Sequence, residues 1–422
     1  MMTQRHYLFA AFAMFFFTVF LSSSFAQSKK EIKEFRKLQN KYLFTAKLKN
    51  KHVAEKIRFT SVKNAVIVPV KINGKIRNFI FDTGAITVFS DSLAKELEAA
   101  YSFSIPVIDA AGIVDSLNFY NTDNVCLENI CFDNVAYGVA NLDAFERHSC
   151  MRIDGLFGSN ILRLLNWEID FSNQILCVSD KAFSRDNYNM EIPFRESQGS
   201  RTPEIRMEMG EFYFYATLDL GNNDLIQIPD SLFFKSRKSN SLKYAKGEGK
   251  KTETLFNDEA VQTQYLVEID TLYMGNNRIM NEPVNVVPST MILIGNAFLI
   301  KYGKIAINWK QKKLFLEKKE EDKIIENEEY WEFTADLQDD ELIICFIREN
   351  THSHKNGIRP GDRILSVNGI STEKIDISRW CEIKENTKEL KSMPVEILTS
   401  AGKKTIQLQK ITDKSLIENV HH

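Results

Sequence analysis

The feature that most constrains the fold is a pattern that occurs twice in the chain at a constant spacing. Residues 65–85 and residues 203–221 each contain two strand-like runs around a short turn, and in each the second run ends in Asp-x-Gly. Apolar runs joined by a short glycine-containing turn are typical of β-hairpins. The aspartates of the two copies, Asp82 and Asp219, are 137 residues apart.

The same spacing recurs downstream of both aspartates. It separates two further pairs of glycines, Gly112 from Gly249 and Gly158 from Gly295. One shared spacing would be chance, but a spacing common to three features is typical of an internal repeat. We therefore predict two copies of one β-rich unit, lobe 1 at residues 59–194 and lobe 2 at residues 195–318. Two unrelated β domains are the alternative.

The repeated Asp-x-Gly turn carries a chemical prediction. A carboxylate at the end of an apolar strand is costly to bury unless it is paired or functional. Two such units related by a twofold axis would bring Asp82 and Asp219 together, where the two carboxyl groups would share one proton. The ionised group could then activate a water molecule while the protonated group polarises a carbonyl, which is chemistry suited to peptide hydrolysis.

Two motifs carry a resemblance to a known family. Residues 81–85, Phe-Asp-Thr-Gly-Ala, resemble the catalytic turn of retropepsin-like and pepsin-like aspartyl proteases of the exported bacterial type. Residues 154–158, Asp-Gly-Leu-Phe-Gly, resemble the segment that packs behind that turn. The resemblance covers residues 60–318.

The resemblance implies a mainly β fold with two tandem lobes related by a pseudo-twofold axis, and an aspartic endopeptidase that acts on peptides or proteins without a cofactor or metal. It implies a catalytic dyad of Asp82 and Asp219, with Thr83, Gly84 and Gly221 shaping the turns beneath it. It also implies glycine-tipped flaps over the cleft, with candidate tips at Gly112 and Gly249.

The second copy departs from the family pattern. Leu220 stands where a Thr or Ser is expected, and Asn222 replaces a small residue. Loss of a supporting hydroxyl could displace the dyad, and a misplacement of about 1 Å costs roughly 100-fold in rate. Two alternatives therefore stay open. The chain could be a catalytically degenerate peptide-binding or scaffold protein, or lobe 1 could pair with another chain.

A charged stretch at residues 319–330 predicts a linker to a separate module at residues 331–412, with a tail at 413–422. Within the module, residues 356–369 (NGIRPGDRILSVNG) resemble a PDZ domain, a small β/α fold. PDZ domains bind extended peptides by strand addition, so a C-terminal-peptide ligand is implied. However, the usual Gly-φ-Gly-φ loop is not evident, and the acidic residues 339–341 would disfavour a carboxylate, so a structural cap is the alternative.

Residues 1–26 have the layout of a secretory signal peptide, with a short polar start, an apolar run over 7–21 and small residues at 24 and 26. We therefore expect an exported protein of the periplasm or extracellular space that begins at Gln27. An uncleaved anchor is the alternative, although the run is short for the ~20 residues that a spanning helix needs. Residues 27–58 are expected to form an N-terminal extension that contains a short amphipathic helix, predicted by the helical spacing of Ile32, Phe35, Leu38 and Tyr42. We expect no membrane span after it.

Composition narrows the remaining possibilities. Basic and acidic side chains number 54 and 56, and this balance argues against a nucleic-acid binder, which needs a basic surface. Six cysteines are too few for a disulfide-dense scaffold. Cys126 and Cys131 flank a predicted hairpin turn and form a candidate disulfide, with two packed thiols as the alternative. Their spacing matches no metal-binding pattern, and His352 and His354 are expected to be solvated.

Overall fold

The computed structural model describes residues 37, 41–98, 100–109, 113–235, 244–250, 262–317, 329–412 and 415–416. The predicted signal peptide, most of the predicted N-terminal helix, residues 319–328 of the predicted linker and the candidate flap tip Gly112 lie outside the described residues. The second half of the predicted extension, which follows the helical spacing at residues 32–42, forms short strands because it pairs with strands that lie later in the chain.

The described residues in the first part of the chain form fourteen strands and three helices. The strands are β1 (Lys47–Leu48), β2 (Ala54–Arg58), β3 (Thr60–Val62), β4 (Ala65–Ile72), β5 (Lys75–Phe81), β6 (Val88–Ser90), β7 (Tyr101–Ile108), β8 (Val114–Thr122), β9 (Val125–Leu127), β10 (Ile130–Asp133), β11 (Val135–Ala140), β12 (Gly155–Phe157), β13 (Asn166–Asp170) and β14 (Ile175–Ser179). The helices are α1 (Asp91–Leu97), α2 (Asp143–Ser149) and α3 (Ser159–Leu162).

The second part repeats this arrangement with fewer described elements. Its strands are β15 (Met190–Glu196), β16 (Pro203–Met209), β17 (Phe212–Leu218), β18 (Ile226–Pro229), β19 (Tyr244–Gly249), β20 (Thr263–Met274), β21 (Asn277–Val287), β22 (Leu293–Ile294), β23 (Lys304–Asn308) and β24 (Lys313–Glu317). Its helices are α4 (Asp230–Lys235) and α5 (Asn296–Leu299), and 3-10 turns span Arg185–Asn187 and Ile300–Tyr302.

The C-terminal module is a small β/α unit with its own apolar core. Its strands are β25 (Glu329–Trp331), β26 (Phe333–Gln338), β27 (Glu341–Arg348), β28 (Arg363–Val367), β29 (Ile370–Ser371), β30 (Ser392–Thr399) and β31 (Gly402–Thr412). Its helices are α6 (His352–Lys355) and α7 (Ile377–Thr387).

The two lobes share one topology and one register. In lobe 1 the hairpin β4–β5 receives β12 as a parallel neighbour of β5, with Leu156 opposite Ile80. In lobe 2 the hairpin β16–β17 receives β22 as a parallel neighbour of β17, with Leu293 opposite Thr217. Both pairs differ by the 137 residues that separate the repeated motifs. The molecule is therefore mainly β, with two lobes of matching design.

A six-stranded antiparallel sheet joins the two lobes. Its strand order is β2-β14-β13-β23-β24-β15, and β13 and β23 pair across the lobe boundary with Trp167 opposite Ile307. Strand β2 precedes residue 59, where we predicted that lobe 1 begins, and β15 spans the predicted boundary at 194/195. Each of these strands forms one edge of this sheet. Each therefore belongs to the lobes, although β2 lies before the predicted start of lobe 1 and β15 crosses the predicted boundary.

The C-terminal module touches both lobes. Strand β27 pairs antiparallel with β19 of lobe 2, and Cys381 of helix α7 forms a disulfide with Cys150, which follows helix α2 of lobe 1. Cys126 and Cys131 form a second disulfide across the β9–β10 hairpin. Among the described residues, no helix is long and apolar enough to cross a membrane.

Candidate active site

Asp82 lies directly after strand β5, at the centre of lobe 1. Phe79 and Phe81 of this strand point into the core and are fully buried. The backbone N–H of Asp82 donates to the carbonyl oxygen of Phe157 in the parallel strand β12 (3.1 Å). The chain then turns away from the sheet, so the Asp82 carboxyl group is held at the strand end with only 5% of the residue exposed.

Asp219 occupies the same position in lobe 2. It follows strand β17, and its backbone N–H donates to the carbonyl oxygen of Ile294 in strand β22 (3.0 Å). Asp219 is 9% exposed. The two copies of the repeat therefore place their aspartates by the same backbone contact.

The structure brings the two aspartates together, with each carboxyl group packed against the glycine of the opposite turn. A Cβ atom added to Gly84 would lie 2.4 Å from Cγ of Asp219, and one added to Gly221 would lie 2.4 Å from Cγ of Asp82. Any side chain at either glycine would displace the carboxyl group facing it. The two glycines thus allow the turns to approach closely enough for each carboxyl group to influence the pKa of the other.

Each carboxyl group is also held by its own turn. Oδ1 of Asp82 accepts hydrogen bonds from the backbone N–H groups of Gly84 (2.7 Å) and Ala85 (3.0 Å). Oδ1 of Asp219 accepts from the backbone N–H groups of Gly221 (3.0 Å) and Asn222 (3.2 Å). Asn222, where the family pattern has a small residue, therefore contributes its backbone in the same way as Ala85.

The environment changes the acidity of both groups. Burial raises the pKa of Asp82 to about 6, against the lowering effect of the hydrogen bonds from Gly84 and Ala85. Burial raises the pKa of Asp219 well above its ordinary value, and the charge of the neighbouring Asp82 raises it further. Two adjacent buried carboxylates repel one another, so the pair retains one proton over a wide pH range.

Thr83 connects the two turns beneath the carboxyl groups. Its hydroxyl donates to the carbonyl oxygen of Leu218 (2.6 Å) and accepts from the backbone N–H of Leu220 (3.0 Å). The side chain of Leu220 is fully buried in the apolar core and has no hydroxyl to return this contact. Thr83 of lobe 1 therefore hydrogen-bonds to the backbone of lobe 2. Leu220, at the equivalent position of lobe 2, makes no such side-chain hydrogen bond to lobe 1.

Asn296 supports the second turn in a way that the sequence analysis did not predict. Its side-chain Nδ2 donates to the carbonyl oxygen of Leu220 (2.7 Å), and its backbone N–H donates to the carbonyl oxygen of Asn222 (2.7 Å). The equivalent residue in lobe 1 is Ser159, whose hydroxyl binds Ser200 instead. The sequence did show a difference between the lobes at this position, since a serine follows Gly158 and an asparagine follows the equivalent Gly295.

Of the two candidate flap tips, Gly112 and Gly249, the structure describes only Gly249. Gly112 lies outside the described residues, between strands β7 and β8. Gly249 is described, at the end of strand β19, and it pairs with Phe346 of the C-terminal module. Its φ is +111°, and an added Cβ would lie 2.0 Å from the carbonyl oxygen of Cys345. The glycine at position 249 thus allows two backbones to come close together, and it does not lie at the tip of a free hairpin.

Several other predicted features have clear structural positions. Asp339 and Asp340 form the two-residue turn of the β26–β27 hairpin, and both have positive φ. His352 is exposed, and its backbone N–H donates to Glu332. Within the described part of the chain, no group of three or more His, Cys, Asp or Glu side chains is placed to hold a metal ion.

Comparison with known families agrees with this arrangement. Residues 68–161 match the family model described as aspartyl protease, and residues 320–398 match the family model described as PDZ domain. The first match contains Asp82 and Thr83 but ends before Asp219. No curated protein matches the chain.

Proposed function

Because the chain contains an aspartyl protease domain and a C-terminal PDZ domain, we propose that it is an exported aspartic endopeptidase that hydrolyses peptide bonds with Asp82 and Asp219. The observation that carries this proposal is the packing of each buried carboxyl group against the opposite glycine, which brings the two groups close together. One shared water molecule between such groups is the arrangement that general acid–base hydrolysis requires.

In the proposed mechanism the carboxyl groups take opposite roles. The charge of Asp82 raises the pKa of Asp219, so we assign the shared proton to Asp219, and the ionised Asp82 accepts a proton from the attacking water. The water oxygen bonds to the peptide carbonyl carbon while Asp219 gives its proton to the carbonyl oxygen. The tetrahedral intermediate then collapses, a proton passes from Asp82 to the leaving nitrogen, and the C–N bond breaks. A proton from the intermediate returns to Asp219.

Export is part of the proposal and has independent support. The structure contains two disulfides, Cys126–Cys131 and Cys150–Cys381. Disulfides persist in oxidising compartments outside the cytoplasm. This fits the signal-peptide layout of residues 1–26 and a location in the periplasm or extracellular space.

The test is peptide cleavage by purified residues 27–422 between pH 4 and pH 9, with Asp82→Asn as the key variant. We expect turnover of unstructured peptides to increase as the pH rises through about 6, because Asp82 must be ionised, and to decrease at higher pH as Asp219 loses its proton. Asp82→Asn should reduce kcat at least 1,000-fold, since it removes the base of the dyad.

The matched control is Asp133→Asn, the same chemical change at a partly exposed carboxylate of strand β10 that pairs with Lys49. This variant should retain full activity. Activity that survives in Asp82→Asn would overturn the assignment of the dyad.

A second candidate function is favoured by Leu220. Because this residue contributes no hydroxyl beneath the dyad, the lobes could bind peptides in the cleft without cleaving them. Calorimetry separates the two functions. A binding protein would bind peptides equally well in wild type and Asp219→Ala and would show no turnover at any pH.

A further inference from the structure

Strand β26 of the C-terminal module is an edge strand. It pairs with β27 along its whole length, from Phe333 to Gln338, and no other described strand pairs with it. An unpaired strand edge presents free N–H and C=O groups, and it is the surface to which an extended peptide can add as a further strand.

Helix α2 of lobe 1 lies alongside strand β26 and bridges it to helix α7. Nε of Arg147 lies 3.5 Å from Oδ1 of Asp336 in β26, and both side chains are largely buried. Nζ of Lys384 in α7 donates to the carbonyl oxygen of the same Arg147 (2.7 Å). One residue of α2 therefore contacts both β26 and α7, and we call the space between these two elements, from Asp336 to Lys384, the groove.

The contacts of Lys384 are made with the C-terminal end of helix α2. The last carbonyl groups of a helix lack partners within it and carry partial negative charge. Lys384 meets that charge at the carbonyl oxygens of Arg147 and His148. Immediately after the helix, Cys150 is linked to Cys381, one turn before Lys384 on α7. Electrostatic and covalent contacts thus fix α2 in the same groove.

We propose that helix α2 is an internal ligand of the C-terminal module, and that the Cys150–Cys381 disulfide keeps it in the groove and excludes extended peptides from the edge of β26. Release requires reduction by a dithiol. A thiolate of the dithiol attacks one sulfur, its second thiol resolves the mixed disulfide, and the products are two thiols at Cys150 and Cys381 and one oxidised dithiol. This inference does not depend on the proposed hydrolysis, because none of its groups belongs to the dyad.

The experiment compares wild type with Cys381→Ser in the full mature chain. Hydrogen exchange measured by mass spectrometry should be at least tenfold faster over residues 143–149 in the variant. Binding is measured by fluorescence anisotropy with fluorescein-labelled decapeptides whose four C-terminal residues are randomised and whose carboxylate is free. Cys381→Ser should bind this probe at least tenfold more tightly than oxidised wild type.

A double variant, Cys126→Ser/Cys131→Ser, is the matched control because it removes the other disulfide and retains Cys150–Cys381. Without reductant it should behave as wild type in both measurements. With dithiothreitol, which reduces Cys150–Cys381, the double variant should behave as Cys381→Ser. This measurement therefore tests the proposal even if Cys381→Ser fails to fold. Equal probe binding by oxidised and released forms, or no binding by any form, would overturn the proposal.

Discussion

At the scale of single residues, the site depends on one hydroxyl group. Thr83 satisfies a carbonyl and an N–H of the opposite turn, Leu218 O and Leu220 N, in a fully buried setting. Because Leu220 has no hydroxyl, the equivalent position of the opposite turn adds no hydrogen bond of this kind. The position of Asp219 relative to Asp82 therefore relies on Thr83 together with the amide of Asn296.

Replacing this hydroxyl should affect both stability and activity. Thr83→Val retains the shape of the side chain but leaves two buried backbone groups unsatisfied, which costs about 2–5 kcal/mol in unfolding free energy. A shift of the dyad by about 1 Å should also lower kcat roughly 100-fold. Urea unfolding and peptide cleavage measure the two effects. Thr83→Ser, which retains the hydroxyl, is the control, and equal losses in both variants would contradict this role.

The sequence predicted some of these residues and missed others for physical reasons. Asp82 and Asp219 were predictable because each ends a repeated hairpin and is followed by glycine. The pairing of Cys150 with Cys381 was not, since the two residues are 231 positions apart and neither lies in a repeated motif. Asn296 was visible only as a difference between the two copies, and such a difference does not show what the side chain contacts.

At the scale of elements, the hairpin β19–β20 is held from outside its own lobe. Strand β19 pairs with β20 on one side and with β27 of the C-terminal module on the other. An ion pair between Lys246 and Glu349 (2.6 Å) flanks this second pairing. The pairing needs glycine at Gly249, where the two backbones come closest.

A substitution at this glycine should separate the two strands. Gly249→Ala adds a Cβ that clashes with the backbone of Cys345, so hydrogen exchange in β19 and β27 should rise at least tenfold. Gly402→Ala is the matched control, because Gly402 has nearly the same φ (+110°) and no atom within 4 Å of the added Cβ. Similar exchange in the two variants would show that backbone strain, and not the clash, decides the outcome.

Individual strands were easier to predict than their partners. The alternating apolar runs of β4, β5 and β27 and the turn at Asn73-Gly74 are local signals. The β19–β27 pairing joins residues about a hundred positions apart and leaves no periodic trace in the sequence. The same is true of β2, which lies in the predicted N-terminal extension and forms one edge of the interlobe sheet.

At the scale of the whole molecule, the separation of the apolar cores indicates how the chain should unfold. The largest core contains residues of both lobes and is continuous with the six-stranded interlobe sheet, and two smaller clusters also lie within the lobes, whereas the C-terminal module packs around a core of its own. Elements that share a core tend to unfold together. We therefore expect the two lobes to unfold in one transition and the C-terminal module in another.

Calorimetry with and without the intermodule disulfide checks this expectation. In Cys381→Ser the transition of the C-terminal module should fall by about 5 °C or more relative to that of the lobes, because a disulfide closing a long loop contributes about 2–4 kcal/mol. The double variant Cys126→Ser/Cys131→Ser should shift only the lobe transition. A single transition that moves as one in every variant would contradict the separation of the C-terminal core from the cores of the lobes.

The pairing of β19 with β27 also has a kinetic consequence. A free surface hairpin fluctuates on the nanosecond to microsecond scale, whereas a domain that rotates as a body moves on the microsecond to millisecond scale. Because β19 pairs with the C-terminal module, and this module is also linked to lobe 1 by the Cys150–Cys381 disulfide, motion of the β19–β20 hairpin should occur on the slower scale.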